Sequence, residues 1–294
     1  MASPTVPQLL HDLTLSGCLH CAQDVACLVT SWAFPRAPIT ATLRWVRQAR
    51  HRTTQHGHPR FGVNPLNRDN MQEVYDPSRE HCQSFVAHSD SRYKKMAAMI
   101  PATPEIKVFD VGCFDGSFLL HYVKKSSCVK MGCDLSLPAL KEARREQCHV
   151  HVAHLEQGFC LLDNSVDVVV AGEIIEHLID TDLFLEEIGR VLKPGGKLIL
   201  TTPNVNSLAR RLLTVIGANA FFEASPTFPA WVAGHVRFFS FGLLRSFLEA
   251  RGFRVEQMQS DTIVISASGM SLPQWCVSLL PQLGRSIIVS AIRI

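Results

Sequence analysis

From residue 107 onward the chain alternates between two hydrophobic rhythms. Short apolar runs at Lys107–Val111, Val129–Asp134, Val150–His154, Val166–Ala171 and Lys197–Thr202 read as buried strands. Between them, apolar residues at helical spacing fall at Ser117–Lys125, Leu137–Gln147, Ile174–Ile179 and Leu183–Leu192. Strands and helices alternating across short links predict a parallel sheet covered on both faces. Pro194-Gly195-Gly196 stops a helix and admits the next strand. After the fifth strand, residues 203–235 form a long insertion. Phe241–Arg251 then reads as a helix, and Phe253–Gln257 and Ser286–Ile294 as closing strands in antiparallel pairing.

The N-terminal quarter does not share this pattern. Residues 1–70 are Cys- and His-rich, then Arg- and His-rich, with prolines at positions 35, 38, 59 and 65. They are read as a partly mobile accessory segment, with one short helical pattern around Val25–Trp32. A helical preface over residues 71–100, including Arg92–Ile100, leads into the alternating domain at 71–294. No internal repeat is evident.

Composition narrows the class. With 47% apolar residues and 19% charged ones, 294 residues suffice for one well-packed domain and a small appendage. A net charge of +3 does not by itself imply nucleic acid. The basic excess is local: Arg36, Arg44, Arg47, Arg50, Arg52, Arg60 and Arg68 precede the first acid after them, Asp69. Ten cysteines without a regular framework suggest reduced thiols and a cytoplasmic setting. Cys18-Leu-His-Cys21 lacks the second CxxC that a zinc site would need. The N-terminus is a poor signal peptide, and the uncharged run Thr262–Gly284 contains prolines and serines that suit it badly to a bilayer.

The chemistry concentrates in Val108-Phe-Asp110-Val-Gly112-Cys113-Phe114-Asp-Gly116-Ser-Phe118. An apolar run ends in an acid, turns through two glycines and resumes as a helix, a device that holds nucleotide-like ligands at strand carboxyl ends. The spacing is not G-x-G-x-x-G. Asp110 before the turn would repel a pyrophosphate and suit an ammonium or sulfonium. The loop therefore favours a cationic, adenosine-containing cofactor over NAD or ATP.

From about Tyr75 to Ile294 the chain resembles class I S-adenosylmethionine-dependent methyltransferases. The resemblance rests on Asp110-Val-Gly112-Cys-Phe-Asp-Gly116, Met131-Gly-Cys-Asp134-Leu-Ser, Leu162-Asp-Asn-Ser-Val-Asp167, Glu173-Ile-Ile-Glu176-His177-Leu, Leu192-Lys-Pro-Gly-Gly196 and Thr201-Thr-Pro-Asn204. Singly weak, these are specific in this order. They imply an α/β fold: a Rossmann-like, doubly wound, mostly parallel seven-stranded sheet with an antiparallel closing strand. They also imply S-adenosyl-L-methionine as cofactor. Asp110 would face its amine, directly or through water, and Asp134, 22 residues after Gly112, its ribose hydroxyls; Asp134 could otherwise cap the helix that follows. Gly112, Cys113, Phe114, Gly116, Leu135 and Glu173 would line the cofactor, with His154 and Leu155 beside adenine. Tyr75, Arg92 and Tyr93 stand where relatives place residues over the cofactor's carboxylate end. Phe114 departs from the family, which has glycine there, and pays strain if the position needs φ > 0.

The acceptor side is less sharply written. Glu173, Glu176 and His177 stand at i, i+3 and i+4 of the expected helix and could share a face. Glu176, His177 and His235 are the catalytic candidates, with His235 able to act as a base near neutral pH. Arg237 and Asn204 are the candidates for acceptor binding. No metal is expected. The alternative places a divalent cation between Glu173, Glu176, His177 and His235, a set resembling that of small-RNA 3′-terminal 2′-O-methyltransferases.

The insertion is apolar at Leu212–Ile216, Phe221, Phe222, Phe228 and Trp231, which suits a lid over a lipid-linked acceptor or light membrane-surface contact. The function expected is in-line methyl transfer to the oxygen of a small-molecule, saccharide or lipid-linked acceptor. Metal-assisted 2′-O-methylation of RNA 3′ ends and a cofactor-binding scaffold without turnover are the alternatives.

Overall fold

In the computed structural model, which describes residues 91–123, 128–221, 234–265 and 270–294, the apolar runs pair edge to edge in one seven-stranded sheet. The strands are β1 (Lys107–Val111), β2 (Val129–Asp134), β3 (His149–Val152), β4 (Val166–Gly172), β5 (Leu192–Pro203), β6 (Phe253–Gln259) and β7 (Ser286–Arg293). Their spatial order is β3-β2-β1-β4-β5-β7-β6. The first five run parallel, and β7 is antiparallel to both β5 and β6. The expected parallel sheet with an antiparallel closing strand is what forms.

The sheet is apolar on both faces because helices cover both. Val108, Val168, Val170, Ile199 and Ile288 turn toward a cluster with Met96, Met99, Phe118 and Leu119. Met96 and Met99 belong to a helix over 91–99, labelled α1. Alternate strand positions point the other way, and there Phe109, Phe159 and Phe184 form a buried edge-to-face chain with centroids 5.4 and 6.3 Å apart. Phe184 comes from the helix Thr181–Val191 (α3), whose apolar stripe also buries Leu185 and Ile188. Arg190, near its end, donates to the carbonyls of Leu161 and Phe159 and fixes the loop that carries Phe159.

Between β2 and β3, the helix Leu137–Arg145 (α2) is capped by Ser136, whose hydroxyl accepts from Ala139 N. Beyond β5 come Leu208–Val215 (α4), Phe241–Glu249 (α5) and the short helix Gln274–Leu279 (α6). The hydrophobic pattern did not single out α6. Among the described residues no helix is long and apolar enough to cross a membrane. The readings for residues 1–70 and the preface up to residue 90 lie outside the described residues, as do Phe222, Phe228 and Trp231.

Two expected helices are shorter than their spacing suggests. Ser117–Lys125 becomes a wide π-helical turn over Phe118–Tyr122, closed by Val123 N donating to Phe118 O. That turn brings Phe118 and Tyr122 against Tyr93 at 5.6 and 5.2 Å. Ile174–Ile179 is one 3-10 turn, Ile175–His177. Glu173 enters it at φ +57°, and Glu156 Oε1 then takes the N–H groups of Ile179 and Asp180. These bonds leave Asp180 to cap α3 through Leu183 N. Pro194–Gly196 also differs from expectation. It lies inside β5 as a bulge opposite Val166 and Val168, because α3 runs directly into the strand.

Phe184 is fully enclosed, so truncation leaves a cavity that the sheet cannot collapse to fill. Phe184→Ala is expected to cost about 3–5 kcal/mol. In chemical denaturation the midpoint should fall while the slope is kept; an unchanged midpoint would refute the core placement.

Candidate functional site

The parallel strands bring their carboxyl ends to one edge, and each contributes a polar group there. β1 supplies Asp110 and β2 supplies Asp134. The exit of β4 supplies Glu173, Glu176 and His177, and the end of β5 supplies Thr201 and Thr202. Ligands of open α/β sheets sit at this edge.

The loop after β1 is fixed by its backbone. Gly112 N and Cys113 N both donate to Cys133 O, and Gly116 N donates to Cys113 O. Gly112 and Gly116 have φ of +75° and +77°. A Cβ on Gly112 would collide with Ile174 Cδ1 at 2.3 Å, and one on Gly116 would press on Ala143 Cβ at 3.0 Å. The glycines thus let this loop lie against the β4 exit on one side and α2 on the other. Phe114 sits at φ +50°, so the strained conformation that its residue type makes costly is present. Asp134 holds it there, since Phe114 N donates to Asp134 Oδ2 at 2.9 Å. Asp134 Oδ1 takes Ser136 N at 2.8 Å. Ser136, not Asp134, caps α2.

Asp110 is 5% exposed, and among the described residues no group donates a hydrogen bond to its carboxyl. Burial, and after it the nearby Asp134 charge, push its pKa well above the usual carboxylate range. Burial also raises Asp134, against the backbone N–H donors of Ser136, Phe114 and Leu135. Two desolvated acids at adjacent strand ends call for positive charge and donors, which the amine, sulfonium and ribose hydroxyls of S-adenosylmethionine carry. A second fit lies beyond β3. His154 Nδ1 is buried with no hydrogen-bond partner and can accept from the exocyclic amine of an adenine. Leu155 beside it is half-buried, as is Leu135. Cys113 gives a ligand only its backbone, because its Sγ packs into the space that Gly132 leaves empty.

At the β4 exit the structure divides the residues expected to act together. Glu173 is not on a helix face with Glu176 and His177. Its Oε1 accepts from Thr201 Oγ1 at 2.9 Å, and its Oε2 pairs with the buried Arg92 guanidinium at 3.1 Å. It therefore ties α1 to β5. Tyr93 packs with Phe118 and Tyr122, and Tyr75 lies outside the described residues. Glu176 turns inward and is 1% exposed. Its Oε2 accepts from Thr202 Oγ1 at 3.0 Å, whereas Oε1 is buried with no partner. Burial, then the Glu173 charge, push its carboxyl well above the ordinary range.

His235 comes to this group from far along the chain. The main-chain N–H groups of Val236 and Arg237 donate to Glu176 O at 2.8 and 3.1 Å, and the rings of His177 and His235 meet edge to face at 4.7 Å. His177 Nδ1 lies 3.3 Å from Gly234 O. Burial, then His235, lower the His177 pKa and keep its ring neutral.

Both acceptor-binding candidates bond to the scaffold, Asn204 through its whole amide and Arg237 through one nitrogen. Asn204 is fully buried; Nδ2 donates to Gln282 O and Gly284 O, and Oδ1 accepts from Asn206 N. It clamps β5 to the segment before β7 and presents nothing to an acceptor. Arg237 is exposed and donates to Ile179 O, which braces the His235 loop. Sequence reasoning missed Thr201 and Thr202, whose hydroxyls orient the two glutamates. The signal was present in their placement at a strand end.

Comparison with known proteins agrees with this edge. The profile of a methyltransferase domain matches residues 109–200, from β1 to β5. The ubiquinone biosynthesis O-methyltransferase of Homo sapiens mitochondria is 31% identical over 163 residues, 51% of this chain and 42% of that protein. That of Coxiella burnetii is 30% identical over 124 residues, 40% of this chain and 52% of the other. The chain thus spans about half the length of these relatives. Among solved structures, the methyltransferase complexed with the Trm112 activator of Haloferax volcanii superposes with a TM-score of 0.58 at 17% identity, over 75% of this chain and 97% of that one. A possible histamine N-methyltransferase of Thermotoga maritima gives 0.55 at 18%, over 76% and 100%. At such identities the structures speak for the fold. The chain thus carries a methyltransferase domain over residues 109–200, set in the Rossmann-like fold that these structures share.

Proposed function

We propose that this protein methylates a hydroxyl oxygen on a small or lipid-linked acceptor of the kind made in ubiquinone biosynthesis. The observation that carries the reading is the shared sheet edge. There the acid pair Asp110 and Asp134 stands on the donor side, and Glu176, His177 and His235 stand at the neighbouring β4 exit, joined by the contact of Gly112 with Ile174. The relatives named as O-methyltransferases support oxygen as the acceptor atom. Leu212, Val215 and Ile216, exposed on and just after α4, support an apolar acceptor or its tail.

Bound S-adenosylmethionine supplies a methyl group on a sulfonium, which leaves as the neutral thioether S-adenosylhomocysteine. Asp110 would face its amine, Asp134 its ribose hydroxyls and His154 its adenine, while Phe114 walls the loop. What remains for catalysis is alignment of the acceptor oxygen and loss of its proton. Glu176 Oε1 and the imidazoles of His177 and His235 are the groups at that place with capacity to hold such an oxygen.

The raised Asp110 pKa sets a direction. Lowering the pH through it protonates the carboxyl, removes the charge facing the cofactor amine and weakens binding; raising the pH restores it. Calorimetric titration of the full chain with S-adenosylmethionine, from about pH 8 down to about pH 5, should show affinity falling on the acid side and proton release on binding there. Asp110→Asn should flatten that limb and weaken binding about tenfold to a hundredfold, the worth of a hydrogen bond to a charged group. Wild-type affinity in Asp110→Asn would remove Asp110 from the cofactor site.

For the acceptor, labelled S-adenosylmethionine is incubated with separate pools of hydroxylated aromatics, lipid-linked phenols, saccharides and RNA. Label should enter an ether-linked methyl in an aromatic or lipid pool. Label in RNA alone would overturn the reading. His235→Ala should lower turnover at least about tenfold, the step a lost general acid–base group exceeds, with cofactor affinity near wild type. Equal loss of both would make His235 structural.

A further inference from the structure

We infer that the cavity beside α4 is a recognition site for a carboxylate carried on an apolar body, with Arg211 as the residue that binds the acid. The cavity measures about 360 Å³, within the range of small-ligand sites. Val205, Ala220 and Phe221 give it apolar walls, and Arg210 and Arg211 bring positive charge to it. Among the described residues that line it there is no acid.

The two arginines are held differently. Arg210 is buried, and its Nη1 donates to Ala220 O at 2.6 Å, which pins one wall of the cavity. Arg211 is exposed, and its Nε donates to Asn206 O at 2.8 Å. That bond fixes the guanidinium and leaves Nη1 and Nη2 without a hydrogen bond or ion pair among the described residues. A guanidinium anchored through Nε offers its two terminal nitrogens as a fork, which takes a carboxylate through two parallel bonds. Phe221 lines the same cavity and is braced edge to face by Phe238 at 5.4 Å, so an apolar body meets a fixed ring. A carboxylate spends both oxygens on the fork. A phosphate would carry further oxygens and charge against Val205 and Phe221, whose side chains have no donor to give.

The cavity also borders the segment that carries His235. Val205 N donates to Phe239 O at 2.9 Å and Phe221 meets Phe238, so residues 235–239 run from the His177 ring to the cavity rim. The cation expected at Arg237 is thus supplied by Arg211, since Arg237 donates to Ile179 O and braces the loop. An acceptor anchored by its acid would be held alike in the ground state and the transition state, and the gain would fall on KM rather than kcat. That the bound acid is the methyl acceptor rests on the oxygen-acceptor reading; the binding site itself does not.

The test titrates the full chain with p-butoxybenzoate, its methyl ester and phenyl phosphate at constant ionic strength. We expect the carboxylate to bind at least about tenfold more tightly than the ester, as hydrogen bonds to a charged group allow. Arg211→Gln should erase that preference, with S-adenosylmethionine affinity near wild type as the control for folding. Acid and ester bound alike, or a preference unchanged in Arg211→Gln, would overturn the site. Phenyl phosphate bound as tightly as the carboxylate would overturn the choice of a carboxylate and point to a phosphate or lipid headgroup. Among aromatic acceptors that take label from S-adenosylmethionine, acids should show a lower KM than their methyl esters, and Arg211→Gln should raise that KM with little change in kcat. Equal KM for acid and ester, with acid-selective binding kept, would overturn the anchoring of the acceptor here. No oxygen methylation in any pool, with acid-selective binding kept, would overturn the oxygen-acceptor reading and leave the site standing.

Discussion

The structure turns on how two carboxylates are kept at adjacent strand ends with little water around them. Asp110 and Asp134 lie on paired strands, with Asp110 opposite Gly132 and Asp134 just past the end of that ladder. Desolvation disfavours the charge on each, and the Asp134 charge makes Asp110 harder still to ionise. Asp134 is relieved by backbone donors, which is also how it shapes the loop: the N–H of Phe114 is drawn to it across the turn. Asp110 has no such relief among the described residues. The loop is thus held in place by one acid and left with an electrostatic demand by the other. A cationic ligand answers that demand, and a phosphate would add to it.

The same logic, with opposite local solutions, governs the exit of β4. Glu173 is neutralised by Arg92 across 3.1 Å and by the Thr201 hydroxyl. Breaking such a buried pair would strand a charge, so these residues are read as architecture. Glu176, three residues on, receives one hydroxyl on Oε2 and, from Arg92, only the weakest of the influences on its charge, and its Oε1 has no partner among the described residues. The contrast between two neighbouring glutamates, one satisfied and one not, separates scaffold from site more sharply than their sequence spacing does.

How much of this was legible beforehand follows from the range of the interactions involved. Apolar runs and turn residues are local, and β1 and β2 fall where the pattern put them, with the other strand boundaries shifted by a few residues. Asp110, Asp134 and the glycine turn were legible for the same reason: a strand end and its turn are neighbours in the chain. The short turn Ile175–His177 was not, because the residues that stop it, Glu156 and Thr201, are more than twenty positions away. Asn204 misled in the same way. An amide at a strand end looks available, and only Gln282 and Gly284, brought in by β7, show that it is spent. Phe114 is the intermediate case, since its strain was readable from residue type and its remedy, Asp134, was not.

His235 shows what long range adds to function. Nothing in its immediate sequence fixes its position beside His177, 58 residues earlier. Its place is set by main-chain hydrogen bonds to Glu176 O, which depend on Glu176 pointing its side chain inward and its carbonyl outward. That orientation in turn needs the positive φ at Glu173, which the Thr201 hydroxyl stabilises by accepting from that residue's amide and donating to its carboxylate. The end of β5 therefore governs the geometry of a group to which it contributes no ring and no charge. A substitution at Thr201 would act on the acceptor side through the backbone, while the donor side, held by Asp134 three strands away, would keep its shape.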